Sequence, residues 1–279
     1  MSLVSMKELL KKADKSDYGI GAFSIANMEM IMGTVKAAEQ LNFPIILQIA
    51  EVRLKHSPLN LIGPVMIEAA KNAKVPVAVH LDHGVSIETI KQALDLGFTS
   101  VMFDGSHLPL DENIEKTNKV LELAKKYDAC VEAEIGRVGG SEDGSEDINM
   151  LITRVEDAER FYEETKVDAL AVAIGNAHGV YKETPNLQFE RLKEINNAVE
   201  IPLVLHGGSG IKPEEFKKCI KYGIKKINIA TSTLNNVVTR VDELLENSHS
   251  VDYFTYHNKV IEAAYENVKN HINIFKSYK

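Results

Sequence analysis

Three histidines stand where an apolar run gives way to glycine. His83 closes His80-Leu81-Asp82-His83-Gly84, after Val75-Pro76-Val77-Ala78-Val79. His178 follows Ala171-Val172-Ala173-Ile174-Gly175-Asn176-Ala177, and His206 follows Ile201-Pro202-Leu203-Val204-Leu205. A titratable group buried without a partner costs several kcal/mol. One such residue reads as a core histidine bonded to loop backbone, but three in the same relation to their strands point to a shared ion. Three imidazoles with a fourth position open are the donor set of a catalytic zinc site. Strand alternation puts His80 and Asp82 on one face and His83 on the other. A strict pleat therefore cannot aim Asp82 and His83 at one centre. Beyond the last ladder residue the pleat need not hold, and Gly84 lets the chain turn. His83, nearer the loop, is taken as the ligand, and His80 as buried support.

Asp104 and Glu134 end two further apolar runs. As oxygen donors they suit a second divalent ion, or they hold ligand histidines in place; a salt bridge on the rim is the plain alternative. Two stretches suit phosphate. Gly207-Gly208-Ser209-Gly210 precedes the helix signalled by Pro213, and Asn228-Ile229-Ala230-Thr231-Ser232-Thr233 runs from a strand into a helix. Glycines let backbone N–H groups approach an anion, and a helix N-terminus favours negative charge. Residues 135–149 are too polar to pack and too glycine-rich for a helix. They form a solvated loop or a mobile lid carrying an acid or base.

These residues need elements to carry them. Strand patterns fall at 19–23, 44–49, 76–81, 99–103, 130–134, 168–174, 202–205 and 225–229. Helical patterns lie near 27–41, 58–73, 86–96, 110–127, 154–165, 187–197, 213–222 and 231–246. Near-continuous apolar strands suit a parallel sheet buried on both faces. Eight strand-then-helix units predict a (β/α)8 TIM barrel. The rival, a doubly wound open sheet, usually shows GxGxxG after its first strand, and none is present. The tail 250–279 predicts additional C-terminal helices, anchored by Tyr253, Tyr256, Val260, Ile261, Ala264 and Tyr265. In such a barrel the active site lies at the C-terminal strand ends. Asp82, His83, Asp104, Glu132, Glu134, His178, His206 and Asn228 all fall there, so the ionisable groups gather on one rim.

Bulk properties narrow the field. The chain has 279 residues, 44% hydrophobic and 26% charged, with a net charge of −8. That balance gives no reason to expect nucleic acid or an anionic membrane surface as a partner. Cys130 and Cys219 show no CxxC spacing and no disulfide framework. Without a signal-peptide pattern or a long apolar run, a reducing cytoplasm is the expectation. No domain boundary, repeat or low-complexity tract interrupts 1–279, so a single barrel domain is expected.

Together these residues resemble the class II (zinc-dependent) ketose-bisphosphate aldolases. The branch containing tagatose-bisphosphate and short-form fructose-bisphosphate aldolases is the nearest. The resemblance runs from Gly21-Ala22-Phe23 through HLDHG (80–84), FDGS (103–106), EAEIGRVGG (132–140), AIGNAHGVYK (173–182), HGGSGI (206–211) and INIAT (227–231). It implies that His83, His178 and His206 bind the catalytic Zn2+, and that Asp82 is the acid/base at the aldehyde-derived oxygen. It matches Asp104 and Glu134 to an alternative metal position, and Glu142 to a mobile-loop glutamate. Gly179, Gly207, Gly208, Ser209, Asn228, Ile229, Ala230 and Thr231 match positions that hold dihydroxyacetone phosphate. Backbone carbonyls near Gly179 and Gly207 would hold a monovalent cation, Na+ or K+. A homodimer or homotetramer is expected. Three positions depart from the family pattern: Ala50 where serine is common near the second phosphate, Ser24-Ile25-Ala26-Asn27 in the first loop, and Asn176 where threonine is common.

The implied reaction is reversible aldol cleavage of a ketose 1,6-bisphosphate, fructose or tagatose, with tagatose favoured. Zinc would polarise the C2 carbonyl, Asp82 would take the C4 hydroxyl proton, and Glu142 would move the C3-side proton. An aldolase for a deoxy-ketogluconate phosphate is the near alternative. A zinc hydrolase on the same barrel would need an HxH pair at the end of the first strand, where Ser24-Ile25-Ala26 offers none. A non-catalytic sugar-phosphate sensor would not need the rim histidines. A Schiff-base aldolase would need a lysine inside the rim. Residues 168–174 contain none, and Lys225 and Lys226 are expected at the far end of the last strand.

Overall fold

Inward and outward positions of the strands differ in kind, and that difference builds the architecture. In the computed structural model, which describes residues 2–140, 150–179 and 185–276, the strands are β1 Ile20–Ser24, β2 Ile45–Ala50, β3 Val77–Gly84, β4 Ser100–Phe103, β5 Cys130–Ile135, β6 Ala169–Val172, β7 Leu203–Leu205 and β8 Ile224–Ile229. Each pairs in parallel with the next, and β8 pairs with β1, closing a barrel in sequence order. Large side chains such as Phe23, Leu47, Val79, Val101, Val131, Leu170, Leu205 and Ile227 point outward into one core shared with the helices. The inward set at the N-terminal end is smaller, with Ala22, Ala78, Ala169, Ala171 and Val204. The strands that read as near-continuous apolar runs thus alternate large-outward with small- or polar-inward.

The connecting helices are α2 Met28–Leu41, α3 Leu59–Asn72, α4 Ile87–Asp95, α5 Leu110–Lys125, α6 Val155–Thr165, α7 Phe189–Ala198, α8 Pro213–Lys221 and α9 Thr231–Glu246. Two more flank the barrel. The first, α1 Met6–Asp14, has no counterpart in the sequence reading. Met6, Leu9, Leu10 and Ala13 form its apolar stripe and close the barrel floor against Ile20, Ile46 and Ala78. The last, α10 Tyr253–Lys276, supplies the expected C-terminal helix. Gly33 of α2 lets α10 approach closely, since a Cβ there would lie 2.4 Å from the Ile261 carbonyl oxygen. Val260 and Ala264 are buried as expected, with Ala263, Val268, Ile272 and Phe275. Tyr253 and Tyr256 are not anchors but are exposed.

Two strand ends depart from the expected bounds for local reasons. β3 runs on to Gly84 because it carries a bulge: Leu81 pairs with Val101 and Gly84 with Phe103, so Asp82 and His83 together face one residue of β4. β6 stops at Val172 because side chains replace the ladder. Ala173 N–H donates to Thr153 Oγ1 and Ile174 N–H to Asn176 Oδ1, both at 2.8 Å.

Candidate active site

The bulge in β3 solves the pleat problem. His83 adopts φ 45, the left-handed region, which costs a non-glycine residue about 1–2 kcal/mol. That turn brings the His83 ring to the side where Asp82 already points. Gly84 makes room, since a Cβ there would meet the Met102 carbonyl oxygen at 2.4 Å. Strain of this kind concentrates at functional sites.

His83, His178 and His206 converge. The His83 ring centroid lies 4.9 Å from that of His178 and 4.5 Å from that of His206. One ligand-type nitrogen from each lies within 4.8 Å of the others. His83 Nδ1 is 2.6 Å from Asp104 Oδ2, and His206 Nε2 is 2.8 Å from Glu132 Oε1. Carboxylates only accept, so each of those nitrogens carries its proton. Burial pushes Asp104 up, but the hydrogen bond from His83, its charge and Ser106 prevail and hold the carboxyl well below its usual range. The remaining nitrogens, His83 Nε2 and His206 Nδ1, face each other across 2.8 Å. Burial first, then the neighbouring His83, lowers His206 well below an ordinary histidine, so its ring is neutral. At that distance the contact is a hydrogen bond whose donor depends on the tautomer, so one proton is shared between the two rings, and a divalent ion bound by both would take that proton's place. The donor set therefore fits a divalent metal, and a carboxylate backing each imidazole is the usual support for a ligand histidine. A second group, His83, Asp104 and Glu134, also brings ligand atoms within 4.8 Å. Burial and the nearby Asp104 push Glu134 up to about 8.

Asp82 is fully buried beside the imidazoles. Gln48 Nε2 donates to its Oδ2 and Asn228 Nδ2 to its Oδ1, each at 3.0 Å. Burial alone would raise its pKa, but the neighbouring His83 and then the Lys226 ammonium more than offset that and lower it. The result is an oriented carboxylate held by one amide on each oxygen. Gln48 was missed in the sequence, although a lone amide inside the run 44–49 was the available signal. Lys226 was misplaced. It is fully buried inside the barrel, not at its far end, with its ammonium 2.8 Å from Glu132 Oε2. Lys225 is the one that stays near the floor, with Nζ 3.5 Å from the Ser16 carbonyl oxygen. Inward-facing Lys226 and Asn228 share one side of β8, two residues apart, as strand alternation requires.

The two glycine-rich turns lie side by side. Gly208 N–H donates to the Asn228 carbonyl at 3.1 Å, and Ser232 N–H to Ser209 Oγ at 3.0 Å, which ties the loop after β7 to the start of α9. Gly207 has φ 62, and a Cβ there would lie 2.1 Å from the Ala177 carbonyl oxygen, so glycine is required. Gly179, with φ 83, has open space on its Cβ side. Asn228 turns its side chain to Asp82, Ile229 packs outward in the core, and Ala230 and Thr231 begin α9. Asn176 bridges the loops: its Nδ2 donates to the His206 carbonyl oxygen at 3.0 Å. Ahead of His178, Arg137 pairs with Leu151 and Gly139 with Ala177. Arg137 and Leu151 are thus held together beside the segment that leads to His178. Glu142 lies outside the described residues.

A closed (β/α)8 barrel with carboxylate-backed imidazoles and a fixed carboxylate on its C-terminal rim defines an enzyme class built for metal-assisted chemistry at a carbonyl. The chain belongs to the class II fructose-bisphosphate aldolase family, whose model matches residues 4–279, and so to the metal-dependent lyases. It is 39% identical to a fructose-bisphosphate aldolase of Staphylococcus epidermidis, over 99% of this chain and 98% of that one. It is 40% identical to a 6-phospho-5-dehydro-2-deoxy-D-gluconate aldolase of Halalkalibacterium halodurans, over 99% and 97%. The crystal structure of the YdjI aldolase from Escherichia coli K12 matches with a TM-score of 0.89 at 33% identity, covering 99% of this chain and 98% of that one.

Proposed function

We propose that this chain cleaves a ketose 1,6-bisphosphate of the fructose or tagatose type reversibly to dihydroxyacetone phosphate and glyceraldehyde 3-phosphate. His83, His178 and His206 are the zinc ligands in this reading, with Asp104 and Glu134 offering an alternative position. When bound, the metal supplies positive charge that polarises the ketose C2 carbonyl and favours the enediolate. Asp82 takes the C4 hydroxyl proton as the C3–C4 bond breaks and returns it in condensation. The Gln48 and Asn228 amides hold Asp82 in position for that transfer. Glu142 moves the proton at the carbon that was C3. Backbone N–H groups of Gly207 to Ser209 and of the start of α9, with Gly179, hold the phosphate of the dihydroxyacetone half. Carbonyls near Gly179 and Gly207 hold a monovalent cation. The observation that carries this reading is Asp82, fixed through both oxygens one residue before His83.

A second reading concerns the far end of the substrate. Ala50 pairs with Asp82 at the rim, two residues after inward-facing Gln48, and has a methyl group where the family resemblance puts a serine hydroxyl near the second phosphate. Together with the deoxygluconate-phosphate aldolase relative, this supports a phosphorylated sugar acid as the alternative substrate. Coupled assays with fructose 1,6-bisphosphate, tagatose 1,6-bisphosphate and 6-phospho-5-dehydro-2-deoxygluconate distinguish them, and cleavage of none would overturn the aldolase assignment.

The proposed setting is cytoplasmic. Cys130 and Cys219 are both free and buried, and no helix among the described residues is long and apolar enough to cross a membrane. Assembly as a homodimer or homotetramer is supported by exposed Met28 and Met32 on α2 and by Tyr253 and Phe254 at the start of α10.

A further inference from the structure

Beneath the imidazoles lies a layer of charge that the proposed proton transfers do not use. Lys226, His80, Asp82 and Glu132 are all fully buried in it. The Lys226 ammonium is 2.8 Å from Glu132 Oε2 and 3.9 Å from Asp82 Oδ1. His80 Nε2 is 3.6 Å from the same Glu132 oxygen and 3.9 Å from the same Asp82 oxygen. Its Nδ1 is 2.9 Å from Ser100 Oγ. His80, Asp82 and Glu132 bring ligand atoms within 4.8 Å of one another, as a metal site would. The cation beside them is the lysine.

Burying an ammonium is costly even when it is paired, and an apolar side chain of similar length would fill the space at less cost. The charge therefore needs a use. Glu132 has two oxygens with different tasks: Oε2 meets Lys226 and Oε1 meets His206 Nε2 at 2.8 Å. We propose that Lys226 is a positioning residue, a tethered cation that aims Glu132 at His206 and thereby directs His206 Nδ1 toward His83 and the metal. Lys226 also stands between Glu132 and Asp82, two buried carboxylates that would otherwise repel across the barrel. It is not placed as a Schiff-base lysine, because its nitrogen is fully buried against the carboxylates of Glu132 and Asp82.

This inference rests on the three-histidine reading of the metal site. The test measures zinc affinity by competition with a chromogenic chelator, alongside turnover. Wild type, Lys226→Met, Glu132→Gln and the double variant are compared. Each single variant should lose roughly 10- to 100-fold in zinc affinity, the usual effect of removing support behind a ligand. The double variant should lose no more than the worse single, because both act through one chain of contacts. Turnover should fall in kcat more than KM rises. If Lys226→Met does not fold, Lys226→Ala replaces it. Ethylammonium, filling the vacated space, should then restore part of the zinc affinity, and no recovery overturns the proposal. Wild-type zinc affinity in Lys226→Met, or additive losses in the double variant, would overturn it while leaving the three-histidine site standing. A wild type that binds no zinc would overturn both.

Discussion

His83 Nε2 and His206 Nδ1 face each other across 2.8 Å, and the far nitrogen of each ring rests against a carboxylate. The rings come from β3 and β7, on opposite sides of the barrel. Only the bulge that puts His83 in the left-handed region lets both point at one place. That backbone strain and that close pair of ring nitrogens are what a cation held by both rings would use.

Asp82 shares its carboxylate between Gln48 and Asn228, and the proposed function makes it the acid/base rather than a metal ligand. Asp82→Ala should slow cleavage by about 10²- to 10⁴-fold, the usual scale for a general acid or base, while zinc content by metal analysis stays at the wild-type level. Loss of zinc along with activity would make Asp82 a ligand or its support.

Ala50 pairs with Asp82 at the rim and, in the proposed function, lies toward the second phosphate. Ala50→Ser should lower KM for a ketose bisphosphate more than for the matching ketose 1-phosphate, read from steady-state kinetics on both. Equal changes would mean that this position does not meet the second phosphate.

The proposed function gives Glu142 the proton at the carbon that was C3. Glu142→Ala should suppress exchange of a dihydroxyacetone phosphate hydrogen with solvent, followed by NMR in deuterated buffer. Release of the aldehyde in a single turnover should stay comparatively fast, since the proposed mechanism assigns bond cleavage to Asp82 and the metal. Exchange at the wild-type rate would remove Glu142 from the mechanism.

Glu134 gives the metal-free protein a pH dependence of definite sign. Its carboxyl is pushed up to about 8 in the folded chain against 4.5 ordinarily. Between those values the native state holds a proton that the unfolded chain has released, so stability falls as pH rises. The contribution is full below 4.5 and is lost as pH passes about 8. After chelation, the Tm of wild type should fall relative to that of Glu134→Gln as pH rises across this window. Parallel curves would place the titration elsewhere.

The barrel was readable because each strand is an apolar run bounded by turn residues and each helix a 3.6-residue stripe. Several of the rim groups were readable because titratable side chains at strand ends stand out against apolar neighbours. What escaped the sequence depended on side-chain reach and local register. Lys226 lies low in β8 by its backbone, yet its long stem carries the charge up to Glu132. Gln48 sits among isoleucines and leucines, and only barrel closure brings it to Asp82. The bulge at His83 leaves no mark in a pattern read at period two. The stripe Met6, Leu9, Leu10, Ala13 was there to see, but a helix ahead of the first strand has no place in the repeating strand–helix unit.

The most direct test is cleavage of fructose and tagatose 1,6-bisphosphates by the purified protein, before and after chelation and after metal is added back. Chelation should abolish cleavage of whichever epimer is used, zinc or cobalt should restore it, and borohydride with substrate should trap no covalent adduct. Full cleavage by protein shown to be metal-free, or a borohydride-trapped adduct on a lysine, would contradict a metal held by His83, His178 and His206.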